Sequence, residues 1–145
     1  MSWPPQHLRL IEKSTRPKKR RQQPEANLQA SVVQYLERAL PPEAGVWWSA
    51  SMSGVRLPSA RATARAKAQG LRKGMPDLCF IPLRGPNAGE AYWIELKADK
   101  GKLTDEQAAL MNVMFPAGRG AEARSIDQVA AALARFGFPL RAYPS

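Results

Sequence analysis

Apolar positions along the chain form a series of short runs whose spacing switches between the helical and the strand period. From Pro24, a residue suited to a helix's first turn, Leu28, Val32, Tyr35, Leu36 and Leu40 recur at helical spacing until Pro41-Pro42 stops them. Val46 to Ala50 reads as a short strand whose two tryptophans, Trp47 and Trp48, are expected in the core. Pro58 to Gln69 is basic and alanine-rich and reads as a helix or a mobile loop. Leu78-Cys79-Phe80-Ile81 predicts a buried strand, residues 82–90 a Gly- and Pro-rich loop, and Tyr92-Trp93-Ile94-Glu95-Leu96-Lys97 a second strand, together a hairpin. Thr104-Asp105-Glu106-Gln107 has the capping-box pattern and opens a helix whose inner face carries Leu110, Met111 and Met114. Ala121 to Arg124 fits a further strand. Ser125 caps a last helix in which Ile126, Val129, Leu133 and Phe136 face inward before Gly137. The predicted order is α-β-(α)-β-β-α-β-α, an α/β layer fold without internal repeats.

The length of 145 residues suits one domain plus a tail. Residues 1–22, with the run Arg16-Pro17-Lys18-Lys19-Arg20-Arg21, read as a basic flexible arm, and 23–145 as the domain. The arm is a phosphate-contacting segment, a nuclear address in a eukaryote, or a solvated tail. Lys and Arg total 22 against 12 Asp and Glu, a net charge of +10, which points to a polyanionic partner, most simply nucleic acid. The single cysteine, Cys79, excludes an internal disulfide and is expected to be a small buried hydrophobe. With one histidine, His7 in the tail, it offers neither a Cys/His metal site nor a Cys–His catalytic pair. No apolar stretch approaches the roughly 20 residues of a membrane span, and the N-terminus lacks a signal-peptide core, so a cytosolic protein is expected.

The two hairpin strands carry the informative chemistry. Glu95 and Lys97 are two residues apart and point to one face of their strand. Charges beside apolar neighbours there are costly unless paired or used. Folding the chain about the middle of the 82–90 loop sets Asp77 opposite roughly residues 95 to 97, because antiparallel pairs keep a constant index sum. An odd-to-odd register puts Asp77 on the face of Glu95 and Lys97, and a one-residue bulge would change it. Two carboxylates and an ammonium group suit metal-assisted phosphodiester cleavage. Mg²⁺ or Mn²⁺ would take Asp77, Glu95 and the Leu96 carbonyl as ligands, polarise the phosphate and acidify a bound water. Lys97 would orient that water or stabilise charge in the transition state. The plainer reading is a structural ion pair of Lys97 with Glu95 or Asp77.

Other candidates surround this set. Glu25 lies three and seven residues before Leu28 and Val32 and shares their inward stripe, unless it serves only as a favourable charge at the helix N-terminus. Gln107 lies one turn before Leu110 and Met111 on theirs, unless it serves only as the partner of the Thr104 cap. Arg61, Arg65 and Lys67, extended by Arg56, Arg72 and Lys73 and by Lys100 and Lys102, form a candidate DNA-binding surface or a solvated face.

Gly74-Met75-Pro76-Asp77 followed by Ile94-Glu95-Leu96-Lys97 resembles the PD-(D/E)xK nuclease superfamily. The fuller series is closer to its VRR-NUC (virus-type replication-repair nuclease) branch: Gln69 to Leu78, Trp93 to Lys97, then Gly101-Lys102-Leu103-Thr104 and Gln107. The resemblance covers about residues 25 to 136 and is loose from Ser49 to Ala68. It implies a restriction-endonuclease-like core, a mixed central sheet flanked by helices, with Asp77, Glu95 and Lys97 catalytic and Glu25 and Gln107 joining the site. It also implies a Mg²⁺- or Mn²⁺-dependent DNA endonuclease leaving a 5′-phosphate and a 3′-hydroxyl. Branched or junction DNA is its candidate substrate, a homodimer its expected form, and a bacterial or phage-infected cytosol its expected place. The competing function is a non-catalytic DNA-binding module that keeps the fold, but such a module has no reason to keep buried carboxylates together. A basic structural protein would leave the GxPD string unexplained.

Overall fold

The computed structural model describes residues 24–51, 58–70, 74–98 and 100–144, with side chains from residue 27 onward. The basic arm, Arg56, Arg72 and Lys73 lie outside the described residues. So does the side chain of Glu25, whose backbone is helical.

Helix α1 (Pro24–Ala39) leads through a 3₁₀ turn at Pro42–Ala44 into β1 (Val46–Ala50). Helix α2 (Ala60–Ala68) follows, then β2 (Leu78–Pro82) and β3 (Tyr92–Leu96). Helix α3 (Asp105–Met114), β4 (Gly120–Ala123) and α4 (Ile126–Arg135) complete the fold. The four strands lie in the order β1-β2-β3-β4. The first two pairings are antiparallel and β3–β4 is parallel, which makes a mixed sheet flanked by helices. The parallel pairing needs a crossover, and α3 provides it.

Strand alternation divides the side chains between two faces. Val46, Leu78, Phe80, Tyr92, Ile94, Leu96, Ala121 and Ala123 are buried on one face, against Val32, Tyr35, Leu36 and Ala39 of α1 and Val129, Ala132 and Leu133 of α4. These helical residues recur every three or four positions, so each helix offers one apolar stripe. Tyr35 lies within this core and donates from its hydroxyl to the Ala142 carbonyl at 2.8 Å. Tyr92 and Phe138 extend the core edge-to-face, with ring centroids 5.1 Å apart.

The opposite face is covered unevenly. Helix α3 lies over β4 so closely that a Cβ on Gly120 would stand 2.6 Å from Met114 Cβ. Toward β1 the cover thins. The expectation that both tryptophans are core residues holds for Trp48, which packs against the core and donates from Nε1 to the Leu40 carbonyl at 3.3 Å. Trp47 is 48% exposed. Cys79 was expected to be buried and is half-buried. Both corrections have one cause: adjacent strand residues point to opposite faces, and only one face meets α1 and α4.

The basic, alanine-rich segment forms a helix. Ser59 caps α2, accepting from the Ala62 N–H at 3.0 Å, and no residue of α2 is buried. Among the described residues no helix is long and apolar enough to cross a membrane.

Candidate active site

The site forms where the start of β2 meets the end of β3. Leu78 pairs with Ile94 and Cys79 with Trp93, an index sum of 172, so continuing the ladder by one step sets Asp77 opposite Glu95. Asp77, Glu95 and Lys97 are 8%, 2% and 6% exposed. They are the charged side chains buried among the described residues. The Leu96 N–H donates to Asp77 Oδ2 at 2.8 Å, which ties the carboxylate of one strand to the backbone of the next. Lys97 Nζ stands 3.6 Å from Glu95 Oε1.

The approach to Asp77 explains the glycine before it. Gly74 has φ +84°, and a Cβ there would lie 2.8 Å from the main-chain carbon of Glu106 in the first turn of α3. Only glycine combines this conformation with so close an approach. Pro76 is fully buried behind it. The segment leading to Asp77 is thus docked against the helix that carries Gln107. A Gly74→Ala variant is expected to lose about 1–3 kcal/mol from backbone strain alone, and more from the clash. A thermal melt should show a midpoint lower by about 3 °C or more.

Gln107 makes contacts on both sides that its position allowed, with the Thr104 cap and with Glu95. Its N–H donates to Thr104 Oγ1 at 3.2 Å, and its Oε1 accepts from the Thr104 N–H at 2.9 Å, completing the capping box. With the amide oxygen so engaged, the NH₂ is left to donate to another acceptor. It donates to Glu95 Oε1 at 2.7 Å. The helix cap therefore orients a donor onto the buried carboxylate.

Glu95 is the strained member of the set. Burial first, and then the nearby Asp77 charge, push its carboxyl from the ordinary 4.5 up to about 8, while Lys97 opposes the rise. The folded protein therefore holds a proton on Glu95 that the unfolded chain releases between pH about 4.5 and about 8. A native state that binds more protons loses stability as pH rises through that window, and the full penalty is present above it. The metal-free protein in EDTA is accordingly expected to melt lower at pH about 8.5 than at about 5. Glu95→Gln has no carboxyl to ionise and should remove most of this difference. A pH profile of melting points that is identical in the two proteins would contradict it.

The donor set fits a hard divalent cation. Glu95 Oε2 is buried with no N–H donor, so when Glu95 is ionised this oxygen is left beside the Asp77 carboxylate without a compensating partner, which is expensive. The Asp77 carboxylate lies close enough to raise the Glu95 pKa by repulsion. A cation between two mutually repelling carboxylates would relieve both the orphaned oxygen and the repulsion. Among the described residues no group of three or more His, Cys, Asp or Glu side chains converges. Two carboxylates are enough for Mg²⁺, which is commonly held by one or two and keeps several waters.

One supporting residue had no signal in the sequence. Arg124, just after β4, donates from Nη1 to the Ala98 carbonyl at 2.6 Å and pairs through Nη2 with Glu122. Glu122 is the register partner of Glu95 on the neighbouring strand. Arg124 therefore compensates a third carboxylate beside the site and braces the chain just beyond Lys97. The Lys97 N–H itself donates to the Ala123 carbonyl at 3.0 Å.

The structure does not gather all the basic candidates into this cluster. Arg61, Arg65 and Lys67 lie on α2, where nothing is buried, and Lys100 and Lys102 are exposed between β3 and α3.

No curated protein and no solved structure gave a match to the chain. The family model described as the VRR-NUC domain matches residues 5–124, well over half of the 145. That match spans α1 to β4 and takes in Gly74, Asp77, Glu95, Lys97 and Gln107. The chain belongs to the VRR-NUC nuclease family.

Proposed function

We propose that the protein is a Mg²⁺- or Mn²⁺-dependent DNA endonuclease whose metal is held by Asp77, Glu95 and the Leu96 carbonyl. The observation that carries this reading is the buried, unpartnered Glu95 Oε2 beside the Asp77 carboxylate. A bound divalent cation supplies the charge that polarises the phosphate and acidifies the attacking water. Asp77 is pre-oriented for that cation by the Leu96 N–H. Gln107 fixes the rotamer of Glu95 through Oε1 and leaves Oε2 for the metal. Lys97 comes within 3.6 Å of Glu95 Oε1 from the strand end and offers a positive charge where the phosphate gains negative charge in the transition state. Glu25 is assigned to the site from α1 on the family resemblance.

The cations of α2, Arg61, Arg65 and Lys67, with Arg56, Arg72, Lys73, Lys100 and Lys102, are assigned to the phosphate backbone. The helix has no acidic residue in its first turn and buries nothing, so Arg61 and Arg65 face solvent, where a polyanion would approach. Replacing Arg61, Arg65 and Lys67 with Ala should lower the slope of log affinity against log salt by about 0.9 for each phosphate of duplex DNA that is no longer neutralised. An unchanged slope would make the helix a solvated face.

The family resemblance adds branched or junction DNA as substrate and a homodimer as the working form. The deciding experiment is cleavage of linear, branched and single-stranded DNA and of RNA, each with Mg²⁺, with Mn²⁺ and with EDTA. Metal-dependent cleavage of a DNA substrate is expected. Binding without cleavage on every substrate would favour the non-catalytic module.

A further inference from the structure

The carboxylates share their sheet face with a row of half-covered aromatic and apolar side chains. In the observed registers Ser49 pairs with Cys79 and Cys79 with Trp93, while Trp47 pairs with Ile81. These residues alternate with the buried core positions, so they lie on the opposite face. Asp77 and Glu95 lie on that face too, by the same alternation along β2 and β3. The Ser51 N–H donates to the Asp77 carbonyl at 2.7 Å and carries the β1–β2 ladder up to the site. From the carboxylates, Trp93 stands two residues along β3, about 7 Å away, and Trp47 is level with Ile81, about 14 Å from Asp77 at about 3.4 Å per residue.

Covering on this face is partial where it approaches β1, an edge strand. Trp93, Cys79 and Ile81 are half-buried, and Trp47 is exposed. A large aromatic on an edge strand is an aggregation liability unless something uses it. The core has no use for Trp47, since its neighbour Trp48 fills the inward position.

Resting on the nuclease reading above, we propose that Trp47, backed by Ile81 and leading toward Trp93, is a stacking platform for unpaired bases of the strand that leads to the scissile phosphate, about 14 Å from Asp77. Two features select nucleic acid as the occupant. The platform lies on the same sheet face as Asp77 and Glu95. The chain carries a net charge of +10, and its basic helix α2 is tethered between β1 and β2, at the end of the sheet where Asp77 lies. Aromatic faces stack on bases whose own faces are open. In a blunt duplex those faces are already covered by neighbouring pairs. The substrate class is therefore DNA with a single-stranded stretch that reaches about 14 Å from the cleaved bond.

The test is binding in EDTA, where nothing is cleaved, read by anisotropy of a labelled oligothymidine and of a blunt duplex of equal length. The full chain is compared with Trp47→Ala and Trp47→Phe. Trp47→Ala should weaken oligothymidine binding roughly five- to 150-fold, the range for one stacked base, and Trp47→Phe should restore most of it. Duplex affinity should change by less than about twofold, because the phosphate backbone dominates binding there. Unchanged oligothymidine binding, or equal loss on both ligands, would overturn the platform. A drop in sedimenting mass in Trp47→Ala would overturn it as well, by giving the face to a second copy of the chain. Because the readout needs no metal, these outcomes leave the metal site untouched. A chain that stacks single strands but cleaves nothing with Mg²⁺ would contradict the proposed activity alone.

Discussion

Asp77→Asn and Glu95→Gln are each expected to abolish cleavage, by about a thousandfold or more, while DNA binding stays close to normal. Each replacement keeps the shape of the side chain and removes one carboxylate charge from the metal. The loss should exceed the roughly 10²–10³ that one transition-state hydrogen-bond donor contributes, because the cation itself is weakened or lost. The two variants should differ in stability. Glu95→Gln relieves a buried acid whose ionisation is resisted by burial and by Asp77, so it should be more stable than the parent in EDTA above pH about 8. Asp77→Asn removes only the repulsion from Asp77, leaves the burial cost on Glu95, and weakens the bond to the Leu96 N–H. Single-turnover cleavage and thermal melts on the same preparations check both statements. Full activity of either variant at ordinary Mg²⁺ would remove it from the metal site.

Lys97→Met should lower the single-turnover rate by at least about a hundredfold at saturating Mg²⁺, with a modest change in melting temperature. Methionine keeps the length and packing of the stem and removes the charge. Lys97 is 6% exposed and 3.6 Å from Glu95 Oε1, a geometry that an ion pair alone would also show. The two roles separate in the metal-loaded protein. If Lys97 were only a counter-ion, the cation would compensate Glu95 in its place, and the folded variant would cleave at the parent rate. Its cost would then appear as an early melt of the metal-free protein above pH about 8, where Glu95 is ionised and breaking the buried pair leaves its charge uncompensated. A slow, well-folded variant assigns Lys97 to the transition state.

How much of this was legible in the sequence depends on the range over which each signal acts. The hairpin register was readable because a symmetrical fold about the 82–90 loop forces an index sum near 172, and Leu78 pairs with Ile94 accordingly. The caps at Thr104 and Ser125 were readable because they are local. Trp47 and Cys79 were misplaced although the period-2 rule was available. Composition suggested an apolar run, and only alternation would have sent every second residue to the thinly covered face. Gln107 shows the limit of local reasoning. Its capping role is written in four consecutive residues, but its bond to Glu95 depends on where α3 docks. Gly74 allows that docking through its close approach to Glu106, which lies 32 residues away in sequence. Arg124 was invisible for a related reason. Its partner carbonyl at Ala98 reaches it only through the parallel β3–β4 register, and no short-range pattern encodes that pairing. No residue of α2 is buried, so packing gives the sequence no pattern from which the role of its basic side chains could be read.

A divalent cation held between Asp77 and Glu95 underlies the whole proposed mechanism, and the most direct measurement is Mn²⁺ binding to the full chain, followed by loss of the free-ion paramagnetic resonance signal. Saturable binding is predicted for the parent protein, weakened by at least about tenfold in Asp77→Asn and in Glu95→Gln, since even groups behind the ligands are worth about that much. Equal Mn²⁺ affinity in all three proteins would contradict it.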